Sequence, residues 1–89
     1  MVKAVVDVEL AVMAVDAELH ADEESLLLKE GSKQASLWGI NIYPDLVGAD
    51  RIEYDSMINL RPVQNNRTRY VESLAIREEI NKIVDKLII

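Results

Sequence analysis

The segment Glu18-Leu19-His20-Ala21-Asp22-Glu23-Glu24 sets the single histidine of the chain among carboxylates. On an extended strand side chains alternate faces, so Glu18, His20, Asp22 and Glu24 fall on one side at intervals of ~6.6 Å. A histidine beside a carboxylate suits general-base work, and the oxygens suit a hard cation. With Asn41 on the same polar face, the set His20, Asp22, Glu24 and Asn41 describes a small metal-assisted hydrolase. Arg61 or Arg67 would then neutralise an anionic substrate. Simple alternation gives any solvated strand face this spacing, and on a helix the same residues fan around the axis. The plain reading therefore carries more weight than the chemical one.

The second constellation, Asn59-Leu60-Arg61-Pro62-Val63-Gln64-Asn65-Asn66-Arg67-Thr68-Arg69, gathers amides and three arginines at a strand end and the loop after it. Guanidinium forks and amides match planar anions such as phosphate or carboxylate. The loop leads toward a helix N-terminus near Ser73, whose dipole adds partial positive charge. Asn59, Arg61, Gln64, Asn66 and Arg67 are the candidate ligand contacts. The competing reading is structural: arginines of an acidic protein pair with its carboxylates, and Asn65-Asn66 is ordinary turn chemistry. In Leu37-Trp38-Gly39-Ile40-Asn41-Ile42-Tyr43-Pro44, the one tryptophan shares the parity of the core. Trp38 is expected to pack beneath a helix, and Gly39 marks a bulge or a close approach.

Several chemistries are excluded by what the chain lacks. There is no phosphate-binding glycine loop, no H-E-x-x-H and no calcium loop. Zero cysteines and one histidine remove disulfides, thiolate nucleophiles and zinc sites of the usual kind. No cofactor is implied, no metal ligand set is assigned, and the balance favours a protein that is not an enzyme. The formal charge of −6 disfavours nucleic acid and anionic membrane. That charge is uneven: residues 1–59 hold four bases and twelve acids, whereas residues 60–89 hold six bases and four acids. No apolar run reaches the ~20 residues of a membrane helix, and Asp7 and Glu9 make the start unlike a signal peptide. The expectation is one cytoplasmic domain over residues 1–89.

These side chains need elements to hold them. Ile76, Ile80, Ile83, Val84 and Leu87 form one helical stripe, and Ser73 suits the N-cap, which predicts a helix over about 74–88. Residues 51–61 read as a strand with Ile52, Tyr54, Ser56, Ile58 and Leu60 on one face, ended by Pro62. Residues 33–43 read as another, with Trp38, Ile40 and Ile42 at period two. Residues 9–30 are ambiguous, because Ala, Leu and Glu favour a helix ending near Gly31 while the valines before them alternate. Placing two-residue hairpin turns at Asp16-Ala17 and Glu30-Gly31 carries the apolar parity through three strands, which favours strands over 3–15 and 18–29. Glu23 fits that scheme poorly, since it lands opposite Trp38 on the apolar face. A first strand over 3–15 is too long without a bulge or break near Glu9-Leu10. The expected fold is α+β: a four-stranded, mainly antiparallel meander with the C-terminal helix packed on one face.

Five segments carry a family resemblance: V-V-D-V-E at 5–9, E-L-H-A-D at 18–22, L-W-G-I-N-I-Y-P at 37–44, I-N-L-R-P-V-Q-N-N-R at 58–67 and R-E-E-I-N-K-I-V at 77–84. In these the chain resembles a small, uncharacterised prokaryotic domain family. The family has glycines where this chain has Ala14, Val15, Asp16 and Ala17. The resemblance implies a stand-alone protein of about this length and supplies no activity.

The functional expectation is a small binding or interaction module that self-associates or meets a protein partner, with an anion contact through residues 59–69. The alternatives are the hydrolase above and a structural subunit of a larger assembly.

Overall fold

The computed structural model describes residues 1–87. It contains four strands and two α-helices: β1 (Val2–Asp7), β2 (Val12–Val15), α1 (His20–Lys29), β3 (Leu37–Ile42), β4 (Ile52–Glu53) and α2 (Leu74–Leu87). The strands form one antiparallel sheet in the order β2-β1-β3-β4. The α+β class, the four antiparallel strands and the C-terminal helix are as the sequence leads one to expect. All four expected strand segments are built differently in detail.

The segment 3–15 is a hairpin rather than one strand. Asp7, fully buried, accepts hydrogen bonds through Oδ1 from the backbone N–H groups of Glu9 and Leu10, both at 2.9 Å, and so turns the chain at the expected break. Ala11 then takes a left-handed φ of 56°, and β2 returns along β1 with Asp7 opposite Val12 and Ala4 opposite Val15. Residues 18–29, expected as a strand, are instead a loop leading into α1. Helix propensity wins here because Ala, Leu, Glu and Lys fill the segment and Asp22 and Glu23 complement the dipole in the first turn. The helix stops at Gly31, whose φ of +104° permits paired bonds from Gly31 N–H to Leu28 C=O and from Ser32 N–H to Leu27 C=O. The parity that favoured a three-strand meander survives in another form. β1 pairs directly with β3, placing Val2 opposite Ile42, Ala4 opposite Ile40 and Val6 opposite Trp38.

In the segment 33–43, ladder pairing covers only Leu37–Ile42, preceded by a 3-10 turn over Gln34–Ser36. In the segment 51–61 it covers only Ile52–Glu53, and a 3-10 turn over Met57–Asn59 follows. Ser56 initiates that turn by accepting from Ile58 N–H, and beyond it the strand parity is lost: Asn59 is fully buried while Leu60 is exposed. The turn lies directly on the sheet at Gly39, where a Cβ would come within 2.6 Å of Ser56 Cβ and 2.7 Å of its Oγ. Glycine is required here by this close approach.

Both sheet faces are covered. Ala4, Val6, Trp38, Ile40, Ile42 and Ile52 pack with Val71 and with Ile80, Ile83 and Val84 of α2. Ser73 caps α2 by accepting from Ile76 N–H, as expected, whereas Leu87 is half exposed and residue 88 lies outside the described residues. The opposite face, expected to meet solvent, packs Val5, Ala14 and Leu37 against Leu27 of α1, with Ile58 beside them. Trp38 is 2% exposed, so its place in the core is as its parity implied.

Replacing Gly39 with Ala is expected to destabilise the fold by about 1–3 kcal/mol, because the added methyl would collide with Ser56 Cβ, which cannot move without its backbone. Urea unfolding followed by the fluorescence of the single tryptophan measures this, and an unchanged midpoint would refute the requirement.

Candidate functional site

The polar side chains of residues 59–69 bond mostly to backbone groups, and three of them, Asn59, Arg61 and Asn66, are buried. β4 covers β3 only at Asn41 and Ile42, leaving the rest of that edge without a strand partner. Asn59 supplies the missing partner with its side chain. Gly39 N–H donates to Asn59 Oδ1 at 2.8 Å, and Asn59 Nδ2 donates to the carbonyls of Gly39 at 2.9 Å and Arg69 at 3.0 Å. Arg61, 9% exposed, continues along the same edge, donating from Nη1 to the Gln34 carbonyl and from Nη2 to the Leu37 carbonyl. Its guanidinium also stacks 4.1 Å from the centre of the Trp38 ring. Burial lowers the Arg61 pKa, while the charge of Glu24 acts in the opposite direction. Gln64 Nε2 donates to the Ala35 carbonyl at 3.1 Å.

Asn66 organises the return of the loop. Its Nδ2 donates to the carbonyls of Asn59, Thr68 and Tyr70, and its Oδ1 accepts from Glu72 N–H. Glu72 in turn accepts from the N–H groups of Arg67 and Thr68. Of the five candidate contacts, Asn59, Arg61 and Asn66 are buried and Gln64 is engaged at an exposed edge. Of the five, only Arg67 has a side chain with neither a hydrogen bond nor an ion pair among the described residues. The third arginine, Arg69, pairs with Asp55 at 2.9 Å.

The other candidate set is dispersed by α1. His20 opens the helix, 9% exposed, with Nε2 donating to the Ile40 carbonyl at 2.7 Å. Asp22 is exposed, and Glu24 lies half-buried on the flank nearer Arg61. Asn41 is buried, donating from Nδ2 to Glu53 Oε1 at 2.8 Å and to the Asp55 carbonyl at 3.3 Å. The shared face drawn for a strand is thus replaced by a helical fan. Among the described residues, no group of three or more His, Asp or Glu side chains is placed to hold a metal ion.

The helix instead turns Glu23 inward, a residue outside both candidate sets. Together with His20 and Leu27 it forms the buried stripe of α1. Glu23 is 2% exposed, its Oε2 accepts from Ala17 N–H at 3.3 Å, and its Oε1 has no partner. Burial raises its pKa to about 7, with the Ala17 N–H and then Asp16 acting as smaller, opposed influences. The sequence did signal this residue: a carboxylate on an apolar parity is costly unless it gains a partner or a proton. Burial likewise lowers the pKa of His20, opposed by its bond to Ile40.

A groove of about 960 Å³ lies elsewhere, between the Gly48–Asp55 segment and the side of α2 that carries Leu74, Arg77, Glu78, Asn81 and Asp85. Tyr54 and Tyr70 meet edge to face in its wall, ring centres 6.1 Å apart, and the Arg77 guanidinium lies 5.0 Å from the Tyr70 ring centre. Arg77 Nε is buried without an acceptor. Five carboxylates line the groove (Asp50, Glu53, Asp55, Glu78, Asp85) against two arginines, Arg51 and Arg77. Arg51 is held by Asp85 and by Asn81 Oδ1, and Glu53 accepts from Asn41, which leaves Asp50 and Glu78 as the groove acids without a partner among the described residues.

The two buried titrating groups tie stability to pH with opposite signs. Folding raises the Glu23 pKa, so its contribution is complete below about 4.5 and is lost as pH rises through about 7. Folding lowers the His20 pKa, so its contribution is present above 6.5 and is lost as pH falls through the depressed folded value. Glu23→Gln is expected to be more stable than the parent at pH 8 and to lose the decline approaching neutrality. Thermal melts across pH 4–9 test this, and a parallel shift of both curves would count against it.

No curated protein and no solved structure matches this chain. A family model described as a protein of unknown function (DUF5674) matches residues 1–87. The family shares the uncharacterised status that the sequence resemblance implied, and the chain belongs to the DUF5674 family.

Proposed function

We propose that the protein is a non-enzymatic interaction module that receives a basic segment of a protein partner in the groove between α2 and residues 48–55. The observation that carries this reading is the lining of the groove, where five carboxylates surround a pair of tyrosine rings. Carboxylates and aromatic faces together attract guanidinium and ammonium groups. Arg77 already occupies one such position over Tyr70.

An anion contact through residues 59–69 is less well supported. Asn59, Arg61, Gln64 and Asn66 spend their polar atoms on the fold, leaving Arg67 as the available group. The hydrolase reading loses its support once His20 donates to Ile40 and Asp22 turns to solvent. Among the described residues, no helix is long and apolar enough to cross a membrane.

Fluorescence anisotropy with a labelled Lys/Arg-rich octapeptide tests the proposal. The basic peptide is expected to bind, more weakly as salt rises, and an acidic peptide of the same length is not. Reversing the two unpartnered groove acids, Asp50→Lys with Glu78→Lys, should weaken binding about tenfold. Equal binding of the acidic peptide, or no effect of the reversals, would sink the proposal.

A further inference from the structure

We infer that the free edge of β2 pairs with β2 of a second copy of this chain, extending the sheet through a two-fold axis. This surface is separate from the groove and does not depend on what the groove binds.

The two ends of the sheet are treated differently. On the β3 side, the edge is closed by β4 and by the side chains of Asn59 and Arg61. On the other side, β2 pairs only with β1, and among the described residues no further strand pairs with its outer edge. Exposed edges of soluble proteins are ordinarily guarded by brevity, lysine, proline, a bulge or an inward charge. β2, Val-Met-Ala-Val, is four residues long and carries none of the other guards. It is also held at both ends, since Ala11 and Asp16 adopt left-handed φ values of 56° and 71°. The edge is therefore short, fixed and apolar.

The surfaces flanking the edge are apolar as well. Val12 and Val15 are each 41% exposed. On the α1 side, His20, Glu23 and Leu27 point inward and Glu24 marks the flank nearer Arg61. Leu19 and Leu26, 60% and 50% exposed, add apolar surface at α1, which packs against β2. On the opposite face, a hollow of about 450 Å³ runs beside Val15 and is lined mainly by apolar residues, including exposed Leu46.

A second copy suits this edge because the strand complements itself. A two-fold axis normal to the sheet keeps each face continuous, so every residue must meet one of its own parity. Centred on Met13, the register sets Met13 opposite its symmetry mate and Val12 opposite Ala14. The left-handed Ala11 and Asp16 end the ladder on either side, so residues 12–14 form its paired core. No carboxylate faces another directly. Glu9, Asp16 and Glu18 nevertheless crowd the seam, so the pairing should tighten as salt screens them.

Sedimentation equilibrium of the full chain tests the inference, together with amide exchange at low and high protein concentration. The expected result is a mass rising with concentration toward twice 10.1 kDa, with salt favouring the larger species. Amide protection on residues 12–15 should rise in step. Val12→Lys with Val15→Lys should hold the protein monomeric where the parent is at least half dimeric. Circular dichroism and tryptophan emission must show the variant folded. If it is not, the concentration-dependent protection of the parent decides the matter by itself. The groove variant Glu78→Lys should dimerise like the parent, which separates failure here from failure of the peptide-binding proposal. A parent that stays monomeric at every concentration, or a dimer whose residues 12–15 exchange as in the monomer, overturns the inference. So does a dimer that persists in the folded double-lysine variant.

Discussion

The structure depends on the way β3 is completed along its outer edge. A two-residue β4 leaves most of that edge unpaired, and buried backbone groups without partners each cost on the order of 1–3 kcal/mol. The Asn59 amide solves this by presenting one acceptor and one donor to Gly39, as a peptide unit on a neighbouring strand would. Arg61 then takes up the Leu37 carbonyl while its flat guanidinium covers the Trp38 ring. Both contacts need the chain after Ser56 to lie against the sheet, which is possible only because position 39 has no side chain. One glycine, one asparagine and one arginine thus set how residues 54–72 run.

This arrangement also redistributes the candidate chemistry. Side chains that look like an anion-binding loop in the sequence are used as backbone substitutes, so their density reflects missing strand rather than ligand affinity. The groove that supports a binding role lies on the other face of the sheet, against α2, where the loop delivers Tyr70 beside Tyr54. The buried Glu23 belongs to neither region. Its raised pKa follows from burial beneath α1 and ties it to the pH dependence of stability.

The accuracy of the sequence reading followed the range of the interactions involved. The α2 stripe, its Ser73 cap, the break near Glu9-Leu10 and the core position of Trp38 all depend on contacts between near neighbours or on a single periodicity. The segment 18–29 was misread because helix propensity and strand parity competed, and the parity had a different origin: β1 and β3 pair with each other, not through an intervening strand. The poor fit of Glu23 was the one local sign that the strand register was wrong. The shared face of His20, Asp22 and Glu24 failed with it, since a change of period from two to 3.6 moves each side chain to a different bearing.

By itself, then, the sequence determined the α+β composition, the family, the C-terminal helix and the apolar parity that lets β1 and β3 pair. Those features are written in composition and in regular spacing, which act over a few residues. Only the tertiary structure decided which edge of the sheet is closed and which is open, that Asn59 and Arg61 face inward, and that a carboxylate lies under α1. The inward turn of Asn59 and Arg61 depends on backbone groups 20 or more residues away, those of Gly39 and Leu37. Chain closure between such sites leaves no periodic trace in the sequence.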